Sequence, residues 1–200
     1  MSHEVETMAY VARKDVDPPW HGLGARLEAA PTPEEMLKAA GLDWRVEIHP
    51  VYFCNDREPG HLMWIPGYRA IVRSSDRRVL AVLSDRYHPV QNADLLAFFK
   101  DFCQAGKMTM ETAGALRNGA IVWALARLNR QFSLPGEDRV EAYLLLANSH
   151  DGTLCFQGRL TSIRVVCWNT LMAALRSGPI GARSFAMRHT RYFTKEVEAE

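Results

Sequence analysis

The sequence predicts an α+β fold: an antiparallel, hairpin-rich β-sheet with two or three helices packed on it. Three observations carry that prediction. Hairpin turn signals recur, Asn118–Gly119 being the strongest. Strand-like runs follow one another through the second half without the strand–helix alternation of a parallel sheet. The glycine-rich phosphate patterns GxxxxGK(S/T) and GxGxxG of doubly wound folds are absent. With 200 residues, 48% of them hydrophobic and 24% charged, a single domain over 1–200 with one sizeable core is expected.

Residues 1–30 show little periodicity and read as an ordered N-terminal loop region, with Pro18, Pro19, Trp20, His21, Gly22, Leu23 and Gly24 plugged into the core. Thr32, Pro33 and Glu35 supply an N-cap, a first-turn proline and a capping-box glutamate, and Gly41 stops the chain, so a helix over 33–40 follows. Trp44, Val46 and Ile48 alternate with Arg45 and Glu47 in a strand that ends near Cys54. Leu62–Arg73 and Val79–Leu83 form a hairpin, with a bulge or break demanded at Pro66–Gly67. Asn92 caps an amphipathic helix carrying Leu95, Leu96, Phe98, Phe99 and Phe102, stopped by Gly106. Thr109–Arg117 and Ala120–Leu128 flank the Asn118–Gly119 turn, Val140–Ala147 is a long apolar strand, and Asp151–Gly152 turns it into Leu154–Leu160. Asn169 or Thr170 caps a short helix at Leu171–Leu175, Ala182–Thr190 is a last strand, and 194–200 read as the start of a truncated C-terminal helix. Trp20, Trp44, Trp64 and Trp123 are expected to fill the core.

Charge is uneven behind a net of +1. Met1–Pro66 holds six Lys/Arg against eleven Asp/Glu, whereas 155–195 holds seven bases and no acid. No stretch approaches the ~20 apolar residues of a membrane span, and no secretory pattern opens the chain, which points to the cytoplasm. Cys54, Cys103, Cys155 and Cys167 form no CxxC pair, so reduced and mostly buried thiols are expected.

Three constellations carry chemistry. Asn148, Ser149, His150, Asp151 and Gly152 sit at a strand end with Cys155 and Cys167 close behind. His150, Asp151 and Cys167 are then candidates for thiol catalysis, or ligands of a metal, while the same residues also read as turn formers beside apolar thiols. Arg164 to Leu171 joins a strand to a helix start, where Arg159, Arg164 and Asn169 are placed either to hold a phosphate or to cap and snorkel. Arg183, Arg188, Arg191 and Lys195 interleave with Phe185, Tyr192 and Phe193, the mixture a single-strand binder uses, although a core-facing aromatic with a solvated basic face explains it equally.

Several strings together resemble a phage- and plasmid-like family catalogued as domain of unknown function 932. They are Pro19–Gly24, Thr32–Leu37, Asp85–Asn92, Glu111–Gly114 with Val122–Arg127, Asn148–Gly152 and Arg164–Leu171, running in order from residue 18 to about 192. The resemblance implies a protein of mobile genetic elements and carries no activity with it.

The expectation that results is a non-enzymatic nucleic-acid-binding protein, taking single-stranded DNA through Arg159, Arg164, Asn169, Arg183, Arg188, Arg191 and Lys195, with no cofactor and no metal. The rivals are an enzyme centred on His150, Asp151 and Cys167, and an interaction protein that blocks a host defence complex through its acidic first third. Oligomerisation is compatible with each.

Overall fold

The computed structural model describes residues 4–14, 16–54, 60–129, 132–133, 139–176 and 184–189. In chain order its elements are β1 (Val5–Val11), β2 (Ala25–Leu27), α1 (Pro33–Ala39), β3 (Val46–Cys54), β4 (Leu62–Arg73), β5 (Val79–Ser84), α2 (Asn92–Ala97), α3 (Lys100–Gln104), β6 (Met108–Leu116), β7 (Ile121–Leu128), β8 (Phe132–Ser133), β9 (Arg139–Val140), β10 (Tyr143–Ser149), β11 (Phe156–Thr161), α4 (Trp168–Arg176) and β12 (Ser184–Met187). The expected α+β class is what forms.

A seven-stranded sheet in the order β12-β11-β10-β7-β6-β1-β2 occupies the centre, antiparallel except for the β1–β2 pair. Its middle strands are buried on both faces. Along β7, Val122, Ala124 and Ala126 join one apolar cluster while Ile121, Trp123 and Leu125 join the other. The first cluster is covered by α1, α2 and the sheet β3-β4-β5 through Met36, Leu95, Phe99 and Ile71. The second is covered by α4 and the segment before it, through Val165, Cys167, Leu171 and Ala174. The molecule is thus three layers with the large sheet in the middle.

Local chemistry explains the elements that were foreseen. Thr32 accepts from Glu35 N at 3.2 Å, and Glu35 accepts from Thr32 N at 2.8 Å, a complete capping box with Pro33 in the first turn. The β6–β7 connection is wider than a two-residue turn: Arg117, Asn118 and Gly119 are all left-handed, and Leu116 pairs with Ile121.

Other expectations are corrected. The N-terminal 1–30 are not loop throughout, because β1 is an inner strand between β6 and β2. It buries Met8 toward one cluster and Ala9 toward the other, so no two-residue alternation marks it. The helix expected after Asn92 is two short helices joined at Phe98–Phe99. Gln91, not Asn92, is its N-cap residue, and Gln91 instead pairs with both backbone groups of Val46 (2.9 and 3.1 Å), acting as a one-residue strand partner. Trp44 and Trp123 are core residues, but Trp20 and Trp64 are 66% and 53% exposed. At Trp20 the inward place is taken by its neighbour: His21 Nδ1 accepts from Leu23 N, Nε2 donates to Val166 O at 3.0 Å, and the indole lies edge-on to that imidazole. Of the four free thiols only Cys167 is buried, and Cys54 is exposed. The helix start expected at 194–200 lies outside the described residues.

Arg73 fastens the small sheet to the large one. Almost fully buried, it donates to Asp76 (2.9 and 2.6 Å), to Glu6 of β1 (2.9 and 3.0 Å), and lies 5.5 Å from the Trp44 ring centroid. Close approach also fixes Gly114, where an added Cβ would lie 2.4 Å from Trp123, 2.5 Å from Thr7 O and 2.8 Å from the Met8 side chain. Gly114→Ala is therefore expected to destabilise the fold by about 3 kcal/mol, at the upper end of overpacking costs, because one neighbour is backbone that cannot rotate away. Urea unfolding at neutral pH measures it.

Candidate functional site

Polar groups buried in an apolar sheet need partners, and the chain supplies them at two seams, one on each face. On the α4 face the key residue is Glu111, 1% exposed. The β6–β7 register shifts between Met110 and Thr112, so Glu111 is a bulge residue. The bulge lets two consecutive side chains reach the same segment: the Thr112 hydroxyl donates to Val165 O at 2.7 Å, and Glu111 pairs with Arg164 Nε at 2.7 Å. Arg13 approaches Glu111 at 3.8 Å and holds Glu141 through bonds of 2.8 and 2.5 Å, while Arg127 and the Tyr143 hydroxyl meet the same two Glu141 oxygens at 3.5 and 2.5 Å. Burial pushes the Glu111 carboxyl up from its ordinary value, and Arg164, Arg13 and Arg127 pull it back.

On the opposite face Asn92 organises the second seam. Its amide donates to Leu42 O at 3.1 Å and Trp44 O at 3.4 Å, so its oxygen is left to accept from His150 Nε2 at 3.0 Å. That fixes the neutral tautomer of His150, whose ring stands edge-on to Trp44. His150 Nδ1 has no hydrogen-bond partner among the described residues. Burial, assisted by His189, pushes the His150 pKa down to about 3. Tyr87 donates to Ser149 O at 2.8 Å and stacks at a tilt on His189, tying the strings at 85–92 and 148–152 together.

The nominated catalytic residues are not assembled by this arrangement. His150 belongs to the seam on the α1–α2 face, whereas Cys167 lies in the cluster under α4, with its thiol 3.5 Å from the Thr170 hydroxyl. Asp151 spends its carboxylate on Thr153 N and the Thr153 hydroxyl (2.9 and 2.6 Å), an ordinary turn bond. The Cys103 thiol, beside a groove of about 300 Å³ with Lys100 and Glu34, is pushed up by burial and stays protonated. Among the described residues no group of three or more His, Cys, Asp or Glu is placed to hold a metal ion.

The nominated nucleic-acid residues are scattered in role. Arg159 caps the C-terminal end of α4 by donating to Leu175 O and Ala174 O. Arg164 is locked onto Glu111, Asp17 O and Val11 O. Asn169 is exposed and leaves the start of α4 to Thr170, whose hydroxyl accepts from Val166 N and Cys167 N. Arg188 is exposed, while Phe185 and Met187 pack on the core. Arg183, Arg191 and Lys195 lie outside the described residues.

What the sequence reading missed is the exposed apolar surface of β3 and β4. Tyr52 stands opposite Trp64, and Phe53 opposite Met63, in cross-strand register. Tyr52, Phe53, Leu62, Met63, Trp64 and Tyr68 are all exposed, and the Arg69 guanidinium lies 5.9 Å from the Trp64 ring centroid. The one carboxylate on β3, Glu47, is bonded to His49 at 2.9 Å and to Arg77, and that pairing holds it below its ordinary pKa. The signal was present as apolar runs without polar alternation at 51–54 and 62–65, read there as a strand ending near Cys54 and one arm of a hairpin, with Trp64 expected in the core.

Residues 79–200 match the family model described as Domain of unknown function (DUF932). The match begins at β5, so the exposed β3–β4 surface and the strings at 19–24 and 32–37 precede it. No curated protein and no solved structure matches the chain.

Two outcomes follow from the seams. Glu111→Ala leaves the largely buried Arg164 without its carboxylate and is expected to cost about 3–5 kcal/mol in urea unfolding. His150 remains neutral in the fold, whereas the unfolded chain takes its proton below about pH 6.5, so stability falls as pH drops from there toward about 3. A His150→Gln variant should lose a one-proton slope, up to about 1.4 kcal/mol per pH unit, from the difference between its urea midpoints and those of the native protein across that range.

Proposed function

The chain belongs to the DUF932 family, whose description assigns no activity, and from that premise we propose that it is a non-enzymatic protein that binds single-stranded nucleic acid, DNA in the first place. The observation that carries the reading is the ring-bearing surface of β3 and β4. Half-exposed Tyr52 and Trp64 side by side, with the Arg69 cation against the indole, offer what unpaired bases seek: flat π-faces to stack on and a charge for the adjoining phosphate. Glu47, the one carboxylate on β3, is paired with His49 and Arg77, which offsets its charge. Arg176 and Arg188 are exposed and available for phosphate contacts elsewhere on the surface.

The non-enzymatic part of the reading is supported by the separation of His150 from Cys167 and by the local employment of Asp151. The setting proposed is the cytoplasm of a cell carrying a phage or plasmid, where such a protein anneals, recombines or protects incoming single strands. No helix among the described residues is long and apolar enough to cross a membrane.

Fluorescence anisotropy with a labelled single strand at low salt tests the proposal. The double variant Tyr52→Ala and Trp64→Ala, with its circular dichroism unchanged, should lose about 30-fold or more in affinity, the worth of two stacked bases. Failure of the native protein to bind any strand at low salt overturns it.

A further inference from the structure

The β3–β4 pair outruns its third strand. β5 pairs with β4 only over Tyr68–Val72, while β3 and β4, after a register shift between Pro50 and Tyr52, pair again as Tyr52–Trp64, Phe53–Met63 and Cys54–Leu62. Past Tyr68 the small sheet is therefore a two-stranded ribbon, and its large side chains on both faces stand exposed. Strand alternation puts Tyr52, Trp64 and Leu62 on one face and Phe53 and Met63 on the other. A ribbon in water ordinarily keeps at least one face polar. Here the first face is 51–63% exposed at its large side chains and the second 42–47%, and both are apolar.

The occupant has to suit that two-sidedness. Pairing with another strand along β3 is discouraged by Pro50, which has no N–H to offer on that edge strand. A second copy docked on Phe53 and Met63 gains on the order of 200 Å² there, far below the roughly 800 Å² per partner of a standard interface. One single strand covers one face and leaves the other wet. Bases, by contrast, need platforms only the size of one ring, and Phe, Leu and Met are the side chains that enter between bases as apolar wedges.

Resting on the single-strand reading above, we propose that the ribbon is a two-faced wedge whose preferred ligand is the junction where a duplex opens into two strands. The end base of one strand stacks on Tyr52 and Trp64, with Arg69 toward its phosphate. The end base of the other stacks on Phe53 and Met63. The ribbon backbone stands between them in place of the lost base pair.

The test compares, by anisotropy, a single strand, a blunt duplex and a fork built from the same sequences, using the full chain, with 2-aminopurine at the last base pair of the fork to report unstacking. The fork should bind about tenfold tighter than the single strand, and the duplex weakest. Phe53→Ala with Met63→Ala should bring the fork down to the single-strand affinity, leave single-strand binding unchanged, and remove the 2-aminopurine signal. These side chains are outside both core clusters, so folding is expected to survive and circular dichroism checks it. Equal affinity for fork and single strand in the native protein overturns the wedge while leaving the single-strand reading intact. Absence of binding to all three overturns the single-strand reading itself. A dimer in sedimentation that Phe53→Ala with Met63→Ala dissolves assigns the second face to another copy and also overturns the wedge.

Discussion

A sheet whose central strand is apolar on both faces has to be covered twice, and the rest of the fold is organised by that demand. From Ile121 to Ala126 every side chain of β7 is buried, odd positions toward α4 and even positions toward the α1–α2 layer. Leaving either face open would keep several large side chains in water, each worth about 1.5–3 kcal/mol when buried. One helix, α4, is enough on one side because β1, β6 and β10 contribute Met8, Leu116 and Leu145 to the same layer. The other side is wider, and it takes α1, α2, α3 and the β3-β4-β5 sheet to close it.

Covering layers made only of apolar contacts can slide. The polar seams remove that freedom, because an unpaired buried polar group is costly and the pairing geometry exists in one register only. Glu111 meets Arg164 because the β6 bulge turns it toward the segment before α4, and the neighbouring Thr112 reads Val165 in the same step. Asn92 plays the matching part on the far face, joining the Leu42–Trp44 turn, the start of α2 and the end of β10 through three bonds. Arg73 adds a charged fastening between β4 and β1. Of the residues that looked like a catalytic constellation along the chain, His150 is one of these fastenings, which explains why it is polar and yet inaccessible, while Asp151 serves its own turn and Cys167 packs under α4.

How much of this was legible in the sequence depends on whether the deciding interaction was local. The α1 capping box involves residues three apart, and the β6–β7 connection is set by neighbours around Asn118–Gly119, so both were readable in place, although the turn is wider than two residues and takes in Arg117. β1 was not, because a strand buried on both faces has no alternation to detect. The role of Asn92 was misread for a related reason: as a good capping residue before an amphipathic run it fits a local rule, whereas its actual bonds reach back about fifty residues to Leu42 and Trp44. The basic segment is a related case. Arg159 and Arg164 are indistinguishable from surface arginines until α4 and Glu111 are brought against them. Trp64 was expected in the core as a large aromatic in a β-forming run, although Leu62–Arg73 is much longer than its hairpin partner Val79–Leu83 and so runs past it.

That last point separates the ribbon from the rest of the molecule. The two clusters are closed without Tyr52, Phe53, Leu62, Met63 or Trp64, so the ribbon's apolar side chains are not surplus core awaiting a better rotamer. Nor are they a frayed strand end, since pairing resumes beyond the bulge at Pro50 and holds through Tyr52–Trp64, Phe53–Met63 and Cys54–Leu62. Exposed apolar surface of this extent invites aggregation, and beyond its cross-strand pairs it adds nothing to either core cluster. Its shape, thin and apolar on both faces, matches a ligand that offers two small flat surfaces more closely than one that offers a single broad surface.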